Sequence, residues 1–293
     1  MEHAILGAGA IGGLIGTALG SLGEDVTLIV RPEKLAAYPE TISLERATDT
    51  LTAKARALDK LTRPVDVLWI ATKTYQLQTA LATIEAAPKR IVPLLNGVDH
   101  VAVLRARFGG GRVVPATIAV EAEQAALGHF VQRSPVRLNI AASGKPVLQG
   151  IVQGLGEIGF MCQFVANELS LLWGKLCFLA PFALVTSASG ENLGEIFADP
   201  AWKANLDSAI SEACAVAKAS GAEVDVAKIQ GMFDTLPATM RSSMAKDLAA
   251  GRQLELDGIA GPILRGGAHH RIAVPTTGKL TATIQTLATG RPV

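Results

Sequence analysis

One stretch near the N-terminus narrows the choice of fold more than any other: Gly7-Ala8-Gly9-Ala10-Ile11-Gly12. It follows the apolar run Ala4–Leu6 and leads into Ile11–Leu22, where apolar residues and glycines recur at helical spacing. A strand that turns through G-x-G-x-x-G into a helix opens a βαβ unit. Gly7 permits the tight turn, Gly9 lets a pyrophosphate approach the backbone, and Gly12 lets helix and strand pack closely. The free N–H groups and the dipole at such a helix N-terminus favour an anion there, so Gly7, Ala8, Gly9, Ala10, Ile11 and Gly12 are candidate dinucleotide-binding residues. A tight strand–helix turn with no ligand is the alternative.

The next strand, Val26–Val30, bears on which dinucleotide. A site for NAD places Asp or Glu at the end of this strand to accept from the ribose hydroxyls. Here that position is Arg31, whose guanidinium matches a 2′-phosphate, while Glu24 and Asp25 come too early. The pattern favours NADP. An ordinary surface charge is the alternative for Arg31.

Strand-like and helical runs continue to alternate: a strand at Val65–Ala71, a helix over Gln76–Ala87, a strand at Ile91–Leu95 ending at Asn96-Gly97, a helix over Asp99–Phe108 and a strand at Val113–Val120. This alternation predicts a parallel sheet with helices on both faces. Thr41–Leu44 and Leu51–Ala57 read as an irregular antiparallel insertion, and His129–Gln132 with Val136–Ala141 as a hairpin or paired edge strands. After a helix at Val147–Ile158 and a strand at Phe160–Val165 the pattern changes. Long Ala- and Leu-rich helical segments follow, among them Glu168–Leu179, Trp202–Ser220, Val226–Met232, Ser243–Ala249 and Leu254–Arg265. The expected organisation is an α/β Rossmann-type dinucleotide-binding domain over 1–166 and an all-α substrate domain over 167–293.

Composition excludes several alternatives. The chain has 293 residues, 49% hydrophobic and 18% charged, with a formal net charge of +1. That suits two globular domains and offers no electrostatic case for nucleic acid or an anionic membrane as partner. Cys162, Cys177 and Cys214 show no metal-ligand spacing, and buried free thiols are the expected reading, with no metal. The N-terminus enters a strand at once with no basic leader, and the longest apolar run, Leu176–Val185, is short for a bilayer and holds Pro181. A cytoplasmic protein acting on a small molecule is the expectation; a homodimer stays open.

With these residues in hand, the sequence resembles the ketopantoate reductase (2-dehydropantoate 2-reductase) family over almost its whole length. The resemblance rests on G-A-G-A-I-G-G with Arg31, A-T-K-T-Y-Q (Ala71–Gln76), L-N-G-V (Leu95–Val98), G-H-F-V (Gly128–Val131), W-G-K-L (Trp173–Leu176), S-S-M-A-K-D (Ser242–Asp247), G-R-Q-L-E-L-D-G-I-A-G (Gly251–Gly261) and H-R-I-A-V-P (His270–Pro275), in this order. It implies a Rossmann-type domain that binds NADPH, a helical C-terminal domain, and hydride transfer to the ketone of a 2-oxo acid, giving a 2-hydroxy acid. Lys175 matches the family's catalytic lysine, whose ammonium can stabilise the ketone oxygen and then protonate it. Asn96 would orient Lys175, the nicotinamide or the substrate. Glu255 matches the helical carboxylate on the substrate's hydroxyl side, and Ser243 the serine that helps bind the substrate carboxylate. Lys73 and Gln76 would lie near the cofactor. The bland alternatives are a snorkelling surface lysine, an Asn-Gly turn, a solvated face shared by Glu255 with Asp257 and Arg252, a helix N-cap at Ser243, and an exposed loop lysine at Lys73.

The chain departs from the family pattern at Leu179 and Ala183, where relatives carry asparagine after W-x-K-L. Both fall on the Lys175 side of the helix, one and two turns on. Ketopantoate, reduced to pantoate in pantothenate biosynthesis, leads as substrate. The alternatives are a related reductase for a different, more apolar 2-oxo acid, and a non-catalytic NADP-binding regulator. The retained Asn96, Lys175, Ser243 and Glu255 argue against the regulator.

Overall fold

The structure is a computed structural model and describes residues 1–290. Its contacts divide the chain into two units, Met1–Leu95 with His100–Glu168, and Asn96–Asp99 with Leu169–Val293. A single cut near Ala166 does not describe this division. Asn96–Asp99 leave the strand that precedes them and cluster with the helices, because Val98 packs on their core and Arg265 grips Asp99.

The first unit runs β1 (Glu2–Leu6), α1 (Ala10–Ser21), β2 (Asp25–Ile29), α2 (Pro32–Leu35), β3 (Thr41–Glu45), β4 (Thr50–Lys54), β5 (Arg56–Leu58), β6 (Val67–Ile70), α3 (Leu77–Leu81), β7 (Arg90–Pro93), α4 (His100–Phe108), β8 (Ala116–Ala119), β9 (Ala122–Ala126), β10 (His129–Gln132), β11 (Arg137–Ala141), α5 (Lys145–Glu157) and β12 (Met161–Val165). Five strands form a parallel sheet in the order β5-β2-β1-β6-β7, with β1 paired in register to β2 and β6. Ala4, Ile5 and Leu6 are buried on both faces, as a central parallel strand requires. The order reverses beside β1, so the loops after β1, β2 and β6 gather at the sheet's carboxyl edge, where open α/β sheets bind ligands.

Two further sheets depart in part from the sequence reading: the antiparallel insertion is present, but β8, β10 and β11 do not take the partners expected of them. β3 and β4 pair antiparallel, and β10 joins β3 while β9 pairs with β10, giving a four-stranded sheet β4-β3-β10-β9. The strand expected over Val113–Val120 is shared between sheets: Val113 bridges in parallel to Ile91 of β7, and β8 then pairs antiparallel with β11 in a three-stranded sheet completed by β12. β10 and β11, expected to pair with each other, therefore sit in different sheets. The glycines of α1 explain the arrangement: Gly13 faces the Phe130 ring, Gly16 faces Leu28 and Gly20 faces Ala53, so the helix packs between the parallel and four-stranded sheets. The helix expected over Gln76–Ala87 stops at Leu81, because Ile84 bridges to Leu61 and draws the chain into extended form.

The second unit holds α6 (Glu168–Ser189), α7 (Leu193–Ala198), α8 (Pro200–Ala219), α9 (Val226–Phe233), α10 (Ser243–Ala249), α11 (Leu256–His270) and α12 (Pro275–Thr289). Asn192 and Glu195 form a reciprocal capping box on α7, and Asp199 caps α8 ahead of Pro200. α6 continues through Pro181 for 22 residues, well past the expected end at Leu179. Burial of Ala180 to Ser187 on every side outweighs the one hydrogen bond that proline removes. By length and composition α6 could cross a membrane, a result the short apolar run did not suggest, yet 67% of its most apolar window is buried inside the protein. Cys177 and Cys214 are buried free thiols and Cys162 is a half-buried one.

Candidate active site

The first unit presents the glycine loop at the carboxyl end of β1. Gly7 adopts φ +96°, where a side chain would be strained and would press on Thr72. A Cβ on Gly12 would run into the Gly7 carbonyl, whereas one on Gly9 would meet nothing within 4 Å. The first helical bond runs from Gly13 N to Gly9 O at 2.8 Å, and no side chain caps α1. The N–H groups of Ala10, Ile11 and Gly12 therefore have no intrahelical partner, and Gly9 beside them leaves open space. This donor set fits a pyrophosphate. The Ala8 carbonyl accepts from Gln124 Nε2 at 3.3 Å, which steadies the loop from β9.

Arg31 follows β2 with its side chain 65% exposed, and it makes a 3.7 Å ion contact with Glu33. An exposed pair at that distance costs little to exchange for a phosphate. Lys73 lies in the loop after β6, where its carbonyl accepts from Gln76 N at 2.9 Å in a 3₁₀ turn, and both side chains are half-buried. Thr72, beside Gly7, has a buried hydroxyl with no partner among the described residues. Sequence reasoning passed over it; its signal was a threonine directly after a strand and next to the glycine loop.

The second unit brings three of the sequence-predicted residues together. Lys175 Nζ donates to Asn96 Oδ1 at 2.9 Å, and Asn96 Nδ2 lies 3.3 Å from Glu255 Oε2. The amide's orientation is forced: an ammonium only donates and a carboxylate only accepts, so the oxygen must face Lys175. Gly97 makes the arrangement attainable. It turns at φ +84°, and a Cβ there would strike the Gly258 carbonyl in the first turn of α11, directly after Glu255. Arg265 Nη2 then holds Asp99 at 2.6 Å while its Nη1 holds Asp257 at 2.6 Å, tying Asn96–Asp99 to α11.

Burial pushes the Lys175 ammonium down to about 8, against the pull of the Glu255 carboxylate in the other direction. Glu255 is only 6% exposed. The solvated-face alternative for it does not hold, since Asp257 pairs with Arg265 and Arg252 with Asp247 instead. Ser243 is exposed at the first position of α10. The helix cap, the alternative role for Ser243, belongs to Ser242, whose Oγ accepts from Ala245 N at 3.0 Å and meets Thr186 Oγ1 at 2.7 Å. Of the two positions that depart from the family pattern, Leu179 is half-buried and Ala183 is wholly buried in the helical core. Among the described residues no cluster of His, Cys, Asp and Glu is placed to hold a metal.

A family model described as ketopantoate reductase PanE/ApbA matches residues 3–145, and the model of that family's C-terminal part matches 168–288. The chain belongs to the ketopantoate reductase family. It is accordingly an NADP-dependent oxidoreductase with the two-part architecture described above. Among curated ketopantoate reductases, the 2-dehydropantoate 2-reductase of Caulobacter vibrioides is 30% identical, over 97% of this chain and 98% of that one. A PanE/ApbA family ketopantoate reductase from Ralstonia eutropha superposes with a TM-score of 0.88 at 27% identity, covering 99% of each chain. A D-mandelate dehydrogenase solved with NADH and anilino(oxo)acetate shares the fold, with a TM-score of 0.87 at 21% identity and 99% coverage of each chain.

Proposed function

We propose that this chain reduces a 2-oxo acid to the 2-hydroxy acid with NADPH, using Lys175 as proton donor, and that ketopantoate is the leading substrate. The observation that carries this reading is the Lys175–Asn96–Glu255 chain of contacts, assembled from three distant parts of the sequence. The N–H groups of Ala10, Ile11 and Gly12 would hold the cofactor's pyrophosphate, with Gly7, Ala8 and Gly9 giving it access, and Arg31 would take the 2′-phosphate. Lys73, Gln76 and the unpartnered Thr72 hydroxyl would add polar contacts along it. When bound, NADPH supplies the hydride that reaches the ketone carbon.

The chain's own residues then manage charge. As a C–H bond forms at C2, the carbonyl electron pair moves onto oxygen, and the Lys175 ammonium stabilises that charge and gives up a proton to it. A donor of pKa about 8 is well matched to this task near neutrality: mostly charged, yet ready to release its proton. Asn96 Oδ1 fixes the direction of Nζ, and the Glu255 carboxylate keeps the buried amine protonated. Ser243, exposed at the start of α10, would bind the substrate carboxylate.

A second reading, a more apolar 2-oxo acid, is favoured by Leu179. It keeps exposed surface one turn from Lys175, where an asparagine could have paired with a substrate hydroxyl. The test is a panel of 2-oxo acids, followed by loss of NADPH absorbance and by chromatography of the 2-hydroxy acid. Stoichiometric product from at least one acid is expected. NADPH binding without turnover on any of them would leave the regulator in its place.

A further inference from the structure

α6 is buried along most of its length, and the exceptions fall together. From Leu171 to Ser187 only Gly174, Lys175, Phe178 and Leu179 keep exposed surface. Their spacing places them on one face over two successive turns. The helix therefore has a single window at the amine, framed by a phenyl ring, an isobutyl group and a bare glycine. A Cβ on Gly174 would meet nothing within 4 Å, so there is room beside Lys175 on this face.

The ring in this window is fixed. Phe178 lies 4.6 Å from the Phe233 ring and 6.1 Å from the Phe182 ring, and Phe182 and Phe233 are themselves 6.1 Å apart, edge to face. Phe182 and Phe233 are buried, so Phe178 presents a rigid aromatic surface backed by two more rings. Apart from the amine, no side chain that α6 places in the window can donate or accept a hydrogen bond; the polar neighbours of the amine are Asn96 and Glu255.

We infer that the side-chain subsite is built for an aryl group, and that the preferred substrates are 2-oxo acids carrying a phenyl ring at or next to the ketone. The inference rests on the reductase reading above. A substrate whose ketone oxygen reaches Lys175 must lay its substituent across the same turn. A phenyl ring there gains apolar burial and an offset or edge contact with Phe178. The hydroxyl of ketopantoate gains neither and meets no partner on α6; Asn96 and Glu255, the polar groups beside the amine, are already engaged with each other and with Lys175.

The experiment compares kcat/KM for phenylglyoxylate, phenylpyruvate, ketopantoate and 3-methyl-2-oxobutanoate at saturating NADPH, in wild type and Phe178→Leu. In wild type an aryl acid should exceed ketopantoate by at least about tenfold, the scale of a good aromatic contact. It should also exceed the branched aliphatic acid several-fold. Phe178→Leu should cost the aryl acids about tenfold more than it costs 3-methyl-2-oxobutanoate, since it removes the ring and keeps apolar bulk. Binding of mandelate against pantoate to the NADP⁺-loaded wild type, by calorimetry, gives the same comparison without a variant. Wild-type preference for ketopantoate, or equal losses for all four acids in Phe178→Leu, overturns the aryl subsite. Failure of all four acids overturns the reductase reading beneath it, and tight pantoate binding overturns the subsite alone.

Discussion

Glu255→Gln should move the enzyme's basic pH limit, and the structure sets both direction and size. Lys175 must be charged to donate its proton, so kcat should be flat below its pKa of about 8 and fall tenfold per pH unit above it. The Glu255 carboxylate holds that pKa up. Contacts of 2.9 and 3.3 Å on either side of one amide, whose own O and N atoms are about 2.3 Å apart, put the two charges on the order of 6–8 Å apart, and at an effective dielectric near 20 this is worth roughly 2–3 kcal/mol, or about one and a half to two pKa units. Glutamine keeps the shape and still accepts from Asn96 Nδ2, so the amide stays oriented while the charge goes. The limb should fall to roughly pH 6–6.5, with turnover at pH 7.5 lowered roughly eight- to twenty-fivefold and largely restored near pH 5.5. The assay is kcat against pH from acid to alkaline conditions at saturating substrate, for both proteins. A uniform loss at every pH, with the limb still near 8, would refute the electrostatic coupling. A limb displaced upward would refute its sign.

Other perturbations probe separate parts of the account. Arg31→Ala should weaken NADPH binding by about tenfold or more while changing NADH little, because it removes a charge-assisted contact that only the 2′-phosphate can make; fluorescence titration of both cofactors checks this, and equal losses would count against the assignment. Leu179→Asn should shift the kcat/KM ratio of ketopantoate to 2-oxo-3,3-dimethylbutanoate toward ketopantoate by roughly tenfold, the value of restoring one hydrogen-bond partner; equal loss on both acids would make position 179 a packing residue. Gly97→Ala combines a left-handed φ with a clash against the Gly258 carbonyl, so it should displace Asn96 and depress kcat, while NADPH affinity, measured by calorimetry, is retained.

The parts of this molecule that were legible in its sequence are the local ones. The glycine loop, Arg31 and the Asn96-Gly97 turn each depend on neighbours within a few residues, and each lies at a strand end in the structure. The helical second half was legible because its apolar periodicity is long and uninterrupted. What escaped depends on tertiary contact. Nothing local states that β10 pairs with β3, more than eighty residues earlier, and not with β11. Pro181 reads as a breaker until its surroundings are known to be buried. Ser242 and Ser243 look alike as helix caps in the sequence, and the structure gives the cap to Ser242, which is buried against the Thr186 hydroxyl. Lys175, Asn96 and Glu255 each carried a bland alternative until the fold brought them into one hydrogen-bonded line. The exposed window around Phe178 is invisible to periodicity, since a half-buried and a fully buried phenylalanine look alike in a helical stripe.

The central claim, that Lys175 protonates the ketone oxygen as hydride arrives, is tested most directly by Lys175→Ala. The measurement is single-turnover oxidation of bound NADPH by the best substrate of the panel, alongside the Kd for NADPH. The account predicts an NADPH Kd close to that of wild type and a chemical step slowed by roughly 10²–10⁴-fold, the range for a lost general acid. A folded variant that oxidises NADPH at nearly the wild-type rate would contradict it.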